Sequence, residues 1–381
     1  HPTKERQLKH MLNEIPARLQ RKLDVRTAEN ALRGLRHFDA AIDFSSNDYL
    51  GYAQHPFIRE QVIRQLETWK RTGSGGSRLL TGNHPAMEEL EARVAAFHHA
   101  PAALLFGSGY EANSGLLSAI AGKDDTILYD SLCHASMREG IQLSPGRSLS
   151  FKHNDVQDLE RKLSSASGEK YVVTESVFSM DGDTAPLIDL AGICRRHGAY
   201  LIVDEAHATG VMGKGGVGMV AHFQLEEEVF ARVYTFGKGL GQQGAAVACS
   251  EKLRSYLINF CRPFIYSTAP ALALVAAVQA AYDLLERDNT ALASLQKLME
   301  ESIALLPVSG MPTAIRTIIV PGNDRVKEVA GMLQQNGFLV LPVLSPTVPA
   351  GAERLRICLH AFNTMEQVSA LAGLLKKSGV A

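Results

Sequence analysis

The chain is short of the features that would place it quickly. Its five cysteines, Cys133, Cys194, Cys249, Cys261 and Cys358, are scattered and form no C-x-x-C pair. That odd, dispersed set excludes a disulfide framework and a cysteine-built zinc site, and it reads as reduced thiols. Neither sign of charge prevails: 39 Lys and Arg stand against 40 Asp and Glu, a net charge of −1, which excludes a surface basic enough to bind nucleic acid throughout. No apolar run approaches the roughly 18 residues of a membrane span. The nearest, Ala271 to Val278, meets Gln279 and then Asp283 and reads as a buried helix. The polar, charged N-terminal segment is unlike a signal peptide, and the expected compartment is the cytoplasm. Low-complexity tracts, internal repeats and long linkers are also missing.

What is present is a pattern of buried strands and helices. Leu8, Met11, Leu12, Ile15 and Leu19 are spaced for one face of an amphipathic N-terminal helix. From Ile42 onward short apolar runs alternate with glycine clusters and helix-length segments. Ala102–Phe106, Thr126–Tyr129, Tyr171–Thr174 and Tyr200–Val203 read as buried strands, with Pro85 to His98 and Val156 to Ser164 as helices between them. Such alternation predicts βα units and a mostly parallel sheet covered on both faces. Beyond Ser267-Thr-Ala-Pro270 one long helix is expected from Ala271 to about Glu300, then a smaller α+β part with strands at Ala314–Val320 and Leu355–Leu359.

Several motifs fail on context. Asp204-Glu-Ala-His207 spells a helicase box, but no Gly-Lys pair here is followed by the Ser or Thr of a phosphate loop. Gly213-Lys-Gly-Gly-Val-Gly218 imitates a dinucleotide fingerprint with no strand directly before it, and His98-His99 point apart on a helix. Asp181-Gly-Asp183 lacks the rest of a calcium loop. No metal is expected.

One constellation survives. Tyr200-Leu-Ile-Val-Asp204 sets a carboxylate at the C-terminal end of a strand, where open α/β sheets bind ligands, and His207 follows. Further on, Thr235-Phe-Gly-Lys238-Gly places a lysine between glycines. Earlier, Phe106-Gly-Ser-Gly-Tyr110 leads from a strand into a helix whose N–H groups and dipole suit a phosphate, and His134 follows another strand. Each residue alone is ordinary, as a cap, a loop lysine or a satisfied histidine. In this order and at these strand ends they are the set that pyridoxal phosphate requires: a lysine for the Schiff base and a carboxylate that keeps the ring nitrogen protonated as an electron sink.

With those residues in hand, the chain resembles the α-oxoamine synthases, fold-type-I pyridoxal-phosphate enzymes of the aminotransferase superfamily. The likeness covers Asp43–Gly51, Gly73–Arg78, Val177–Asp183, Val203–Gly210 and Thr235–Gly239. Within the family, Thr235–Leu240, Ser345–Gly351 and Arg354–Ile357 favour the biotin-biosynthesis branch. The resemblance implies a large α/β domain over 47–275 with a mostly parallel seven-stranded sheet between helices. It adds an N-terminal helical segment over 1–46 and a smaller α+β C-terminal domain over 276–381. The implied activity is an acyltransferase one: decarboxylative condensation of L-alanine with a pimeloyl thioester, carried on CoA or acyl carrier protein. A homodimer with shared active sites is implied too. Glycine with an acetyl thioester, or serine with a long acyl thioester, are the alternatives inside the family; a non-catalytic cofactor-binding protein is the alternative outside it.

Carried over by residue, the resemblance gives Lys238 the cofactor and the acid–base work, Asp204 the pyridinium, and His207 and Ser179 the phenolic oxygen side. His134 stacks on the ring. Gly109, Tyr110 and Thr235 hold the phosphate, with Ser267 or Thr268 reaching in from a second subunit. Asn47 and Arg356 grip the amino-acid carboxylate, and Arg21 and Thr347 face the acyl substrate. Met87 departs from the pattern, since many relatives carry His there. The near-neutral total also hides an asymmetry: residues 1–36 hold nine Lys and Arg against four acids. A basic leader of this kind reads either as a solvated helix face or as a patch that steers an anionic thioester carrier toward the chain.

Overall fold

A computed structural model describes residues 15–38 and 41–380. Leu8, Met11 and Leu12 of the expected N-terminal helix lie outside the described residues; within them a helix runs Ala17–Ala28 with Arg21 exposed on it. The chain divides into two compact units. The larger takes Ser46–Arg316 and Cys358–Val368; the smaller takes the N-terminal segment up to Ser45, Thr317–Ile357 and the chain from Ser369.

The strands, in chain order, are β1 (Ile42–Asp43), β2 (Ala102–Phe106), β3 (Thr126–Asp130), β4 (Arg147–Phe151), β5 (Lys170–Glu175), β6 (Ala199–Asp204), β7 (Val229–Thr235), β8 (Ala245–Cys249), β9 (Ile315–Ile319), β10 (Phe338–Leu339), β11 (Leu341–Val343) and β12 (Arg354–Cys358). Seven of them form the sheet of the larger unit in the order β2-β8-β7-β6-β5-β3-β4. β8 pairs antiparallel with both its neighbours and the remaining pairs are parallel. Every residue of β2 and β8 is buried, as is nearly all of β5 and β7. Strands covered on both faces need unbroken apolar runs, which is why Ala-Ala-Leu-Leu-Phe and Ala-Ala-Val-Ala-Cys show no alternation. On one face Leu104, Leu116, Leu117, Ile127, Met137, Val173, Ile202, Val233, Val247 and Leu257 form a continuous core.

From β3 the chain steps outward to β4, then returns to the other side of β3 and proceeds through β5, β6 and β7. The order reverses beside β3, and a ligand crevice is expected outside the C-terminal strand ends at such a reversal. Phe106, Asp130, Glu175, Asp204 and Thr235 are the residues those ends present.

The single helix expected over Ala271 to Glu300 is instead two, Leu272–Arg287 and Thr290–Glu301. Asp288 adopts an extended backbone, and its carboxylate accepts from the Thr290 N–H at 2.9 Å. An aspartate whose side chain accepts from the backbone two residues on forms a local turn that competes with continuation of the helix, and here it wins. Met87 is fully buried on the helix Pro85–Phe97.

In the smaller unit β1 pairs parallel with β10, while β11 and β12 pair antiparallel in a three-stranded sheet of order β11-β12-β9. Among the described residues no helix is long and apolar enough to cross a membrane.

Candidate active site

A cavity of about 320 Å³ opens at the C-terminal strand ends of the larger unit, and Asn47, Gly109, Tyr110, His134, Asp204, Thr235 and Lys238 all line it. Seven expected site residues from five separate chain segments thus meet in one place. His207 and Ser179 lie off its lining. His207 is buried, with Nδ1 2.7 Å from the Tyr49 hydroxyl, and that hydroxyl donates to Asn47 Oδ1 at 3.2 Å. Ser179 sits half-buried in the turn closed by the Val177–Thr184 bridge. Ser267 and Thr268 border a separate small pocket with Arg78, Phe106 and Glu111.

The end of β2 and the helix Gly109–Ile120 build a cradle. Ser108 caps the helix by accepting from the Glu111 N–H at 3.1 Å, and Glu111 accepts from the Gly107 N–H at 3.0 Å. The first intrahelical bond belongs to Ala112, which donates to the Ser108 carbonyl. The Gly109 and Tyr110 N–H groups lie ahead of it, in the anion-attracting first turn. Opposite stands Thr235, whose buried Oγ1 has no hydrogen-bond partner among the described residues. A Cβ on Gly109 would lie 2.5 Å from Thr235 Cγ2, so only glycine leaves this space open. An orphaned hydroxyl, two first-turn N–H groups and a gap kept clear by glycine fit a phosphate group. Gly109→Ala is accordingly expected to weaken pyridoxal phosphate binding roughly ten-fold or more, since overpacking costs about 1–3 kcal/mol. Titration of the apoprotein with the cofactor measures it.

The floor of the cavity is a carboxylate held by donors. Asp204 Oδ2 accepts from Asn113 Nδ2 at 2.7 Å and Oδ1 from the Ala206 N–H at 2.8 Å. The second proton of the Asn113 amide goes to Ser136 Oγ at 3.1 Å, and that hydroxyl lies 2.8 Å from His134 Nδ1. His134 Nδ1 also accepts from the Ser136 N–H, which places the proton of the neutral ring on Nε2. Desolvation by the surrounding protein lowers the His134 pKa, with Lys238 pushing the same way and Asp204 opposing. One amide thus couples the carboxylate to the histidine.

Glu175 is a resident that the sequence did not single out. It ends β5 directly in register with Asp204, lines the cavity, and is only 2% exposed. Burial, reinforced by neighbouring Asp204, holds its carboxyl pKa well above the usual range, while Lys238 and the His134 N–H act against the shift. Its signal was its register: a carboxylate at the same strand-end position as Asp204. Asn113, Ser136 and Tyr49 carry no such signal, since polar residues of these types are common on helices and loops. The Glu205 of the helicase-like box is structural: its carboxylate accepts from the Met219 and Val220 N–H groups and from Ser176 Oγ.

The remaining expected residues, Arg21, Thr347 and Arg356, belong to the smaller unit. Arg356 lies half-buried on β12 opposite Leu341. Thr347 accepts a 2.7 Å hydrogen bond from Arg33 Nη2. Among the described residues no cluster of three or more potential metal ligands occurs.

Comparison with known proteins follows the same lines. The model of the family described as aminotransferase class I and II matches residues 39–375. An 8-amino-7-oxononanoate synthase of Marinobacter nauticus is 42% identical over 346 residues, covering 88% of this chain and 87% of that protein. A serine palmitoyltransferase of Sphingomonas wittichii superposes with a TM-score of 0.83 at 29% identity, covering 89% of this chain and 87% of the other. An 8-amino-7-oxononanoate synthase of Francisella tularensis superposes with a TM-score of 0.77 at 29% identity, covering 90% and 98%.

Proposed function

The chain belongs to the class I and II aminotransferase family, and from that premise we propose that it condenses L-alanine with a pimeloyl thioester, releasing CO2 and the thiol, to give 8-amino-7-oxononanoate for biotin biosynthesis. Its cofactor is pyridoxal phosphate. The observation that carries the reading is the meeting of Lys238, Asp204 and His134 with a phosphate cradle in one cavity. Bound there, the cofactor supplies a carbonyl that captures an amine and a ring that accepts the electron pair of the substrate carbon.

The chain's own residues do the rest. Lys238 would hold the cofactor through its side-chain amine. The same amine would take the proton from the alanine Cα. That carbon attacks the thioester carbonyl and the thiol leaves; the former alanine carboxylate departs as CO2, and Lys238 returns a proton to the same carbon. Asp204, fixed by Asn113 and Ala206, would accept a hydrogen bond from the cofactor's ring nitrogen. His134 would hold the ring by stacking, and His207 and Ser179 would hold its phenolic oxygen side. We assign Asn47 and Arg356 to the amino-acid carboxylate, which a guanidinium fork suits, and Ser267 and Thr268 to the phosphate of a second copy in a homodimer.

For the acyl side, the Arg33–Thr347 bond makes Arg33 the arginine to test. It borders a cavity of about 520 Å³ in the smaller unit, walled by Leu32, Leu35, Phe38, Leu341 and Leu344 and bordered also by Arg36 and Lys327. Apolar walls with cationic neighbours suit a chain that ends in a carboxylate or hangs from an anionic carrier. Arg33→Ala should raise the KM for the pimeloyl thioester roughly ten-fold, the worth of one charge-assisted hydrogen bond, and leave the KM for alanine in place. Arg21, which the family pattern also turns toward the acyl substrate, is tested in the same way by Arg21→Ala. Steady-state kinetics with each substrate varied separates the two.

The likeness to a serine palmitoyltransferase favours a second reading, with serine and a longer acyl thioester. Mass analysis of products from alanine, glycine and serine, each paired with acetyl, pimeloyl and palmitoyl thioesters, decides. A mass for 8-amino-7-oxononanoate from alanine and pimeloyl thioester alone supports the first reading; another pair giving the faster product overturns it.

A further inference from the structure

Outside the cavity lies a cluster of titratable groups that the chemistry above does not use. His153, just past the end of β4, stands between two carboxylates: Nδ1 is 2.9 Å from Asp130 Oδ1 and Nε2 is 2.7 Å from Asp183 Oδ2. An ionised carboxylate only accepts, so both ring nitrogens carry protons and the geometry is that of an imidazolium. Phe178 meets the ring edge-on at 4.4 Å between centroids.

The two carboxylates belong to the two turns that deliver flanking residues of the site. Asp130 ends β3, and its Oδ1 also accepts from the Leu132 N–H at 2.8 Å while its carbonyl accepts from Cys133. That turn presents His134. Asp183 closes the turn that carries Ser179, its carbonyl accepting from the Phe178 N–H at 2.9 Å. Asn154 ties the same parts together: its N–H donates to Asp130 Oδ2 at 2.8 Å and its amide to Asp183 Oδ2 at 2.9 Å.

We propose that His153 is a positioning residue, a charged staple that fixes the His134 turn against the Ser179 turn and so sets the two flanks of the cofactor site. The proposal rests on the reading of His134 and Ser179 as those flanks. The titratable groups that face the ring are Asp130 from β3 and Asp183 from the turn. Burial alone would lower the His153 pKa, but hydrogen bonds to both carboxylates outweigh it and raise the value from 6.5 to about 10. Because the folded value lies above the free one, the stabilisation is complete below pH 6.5 and is lost as pH climbs toward 10. Without the imidazolium, Asp130 is left as a buried charge facing another carboxylate, the costly case.

Nitrogen-15 NMR of the wild-type holoprotein should show both His153 nitrogens protonated at pH 8; a neutral ring there overturns the proposal. His153→Gln donates from a single nitrogen where two on opposite sides are needed, and should bind pyridoxal phosphate as the apoprotein roughly ten- to a hundred-fold more weakly, with the loss in kcat/KM carried by kcat. The wild-type fall in melting temperature between pH 6.5 and 10 should flatten in this variant, and His153→Arg, which restores charge and two-sided donation, should recover part of the affinity. Wild-type affinity in His153→Gln, or no recovery in His153→Arg, overturns it. If His153→Gln does not fold, the wild-type NMR result decides alone. Absence of cofactor from the Lys238 peptide would instead strike the functional reading, leaving the NMR and melting results to judge the staple.

Discussion

Alanine in place of Lys238 is expected to cut turnover by roughly 10,000-fold or more, the combined loss of the covalent anchor and of the acid–base group. The lysine is placed by a turn rather than by a regular element. Gly241 donates back to the Lys238 carbonyl at 2.8 Å, and a Cβ on Gly239 would lie 2.4 Å from the Thr209 carbonyl oxygen, so the turn lies flat on the backbone after β6. That fixes the root of the side chain, while its charge acts on Glu175 and His134 in the cavity that Asp204 also lines. The phosphate cradle of Gly109, Tyr110 and Thr235 does not depend on it, so the variant should still bind pyridoxal phosphate, though without a covalent link. Borohydride reduction followed by peptide mass mapping checks this. Wild-type protein should carry the cofactor's mass on the peptide containing Lys238, and Lys238→Ala on none. Labelling at another lysine, or turnover in the variant within ten-fold of wild type, would remove Lys238 from the chemistry.

The uneven legibility of this site has physical causes. Asp204 could be read in advance because a buried parallel strand is a continuous apolar run, and the first polar residue past it falls at the ligand-binding edge; Lys238 was legible from the glycines that flank it. Glu175 obeys the same rule yet was passed over, since Thr174-Glu175 has no glycine or lysine beside it to suggest chemistry. Asn113 and Ser136 were out of reach: what matters is that one amide spans Asp204 and Ser136, and that depends on how two helices pack. The arginine beside Thr347 is a question of register in an irregular stretch. Arg21 and Arg33 are equally basic in the sequence, and only the folded course of residues 29–38 brings the second to the hydroxyl. The break at Asp288 is local competition, in which a side-chain turn ends a helix that periodicity alone would continue.

Asn in place of Asp204 should cut turnover on the order of a hundred- to a thousand-fold while cofactor binding falls far less, the usual cost of removing one preorganised charge from a reacting centre. The side chain is 4% exposed and makes two short hydrogen bonds as acceptor, to Asn113 Nδ2 and the Ala206 N–H. An amide has one oxygen and one NH2, so it can satisfy only one of those donors; the NH2 must face the other or point into the cavity. In neither arrangement does it accept from the ring nitrogen with a full charge behind it, and the ring then draws less strongly on the electron pair released at the substrate carbon. The phosphate cradle and Lys238 are untouched, which separates the two readouts: titration with pyridoxal phosphate should show a modest shift and Lys238 should still be labelled on reduction. The exchange of the alanine Cα proton with deuterated solvent isolates the step, because it needs neither the acyl substrate nor decarboxylation. It should slow in parallel with turnover. Exchange at the wild-type rate with turnover still depressed would place the role of Asp204 after proton removal, and unchanged turnover would mean that the carboxylate only shapes the floor of the cavity.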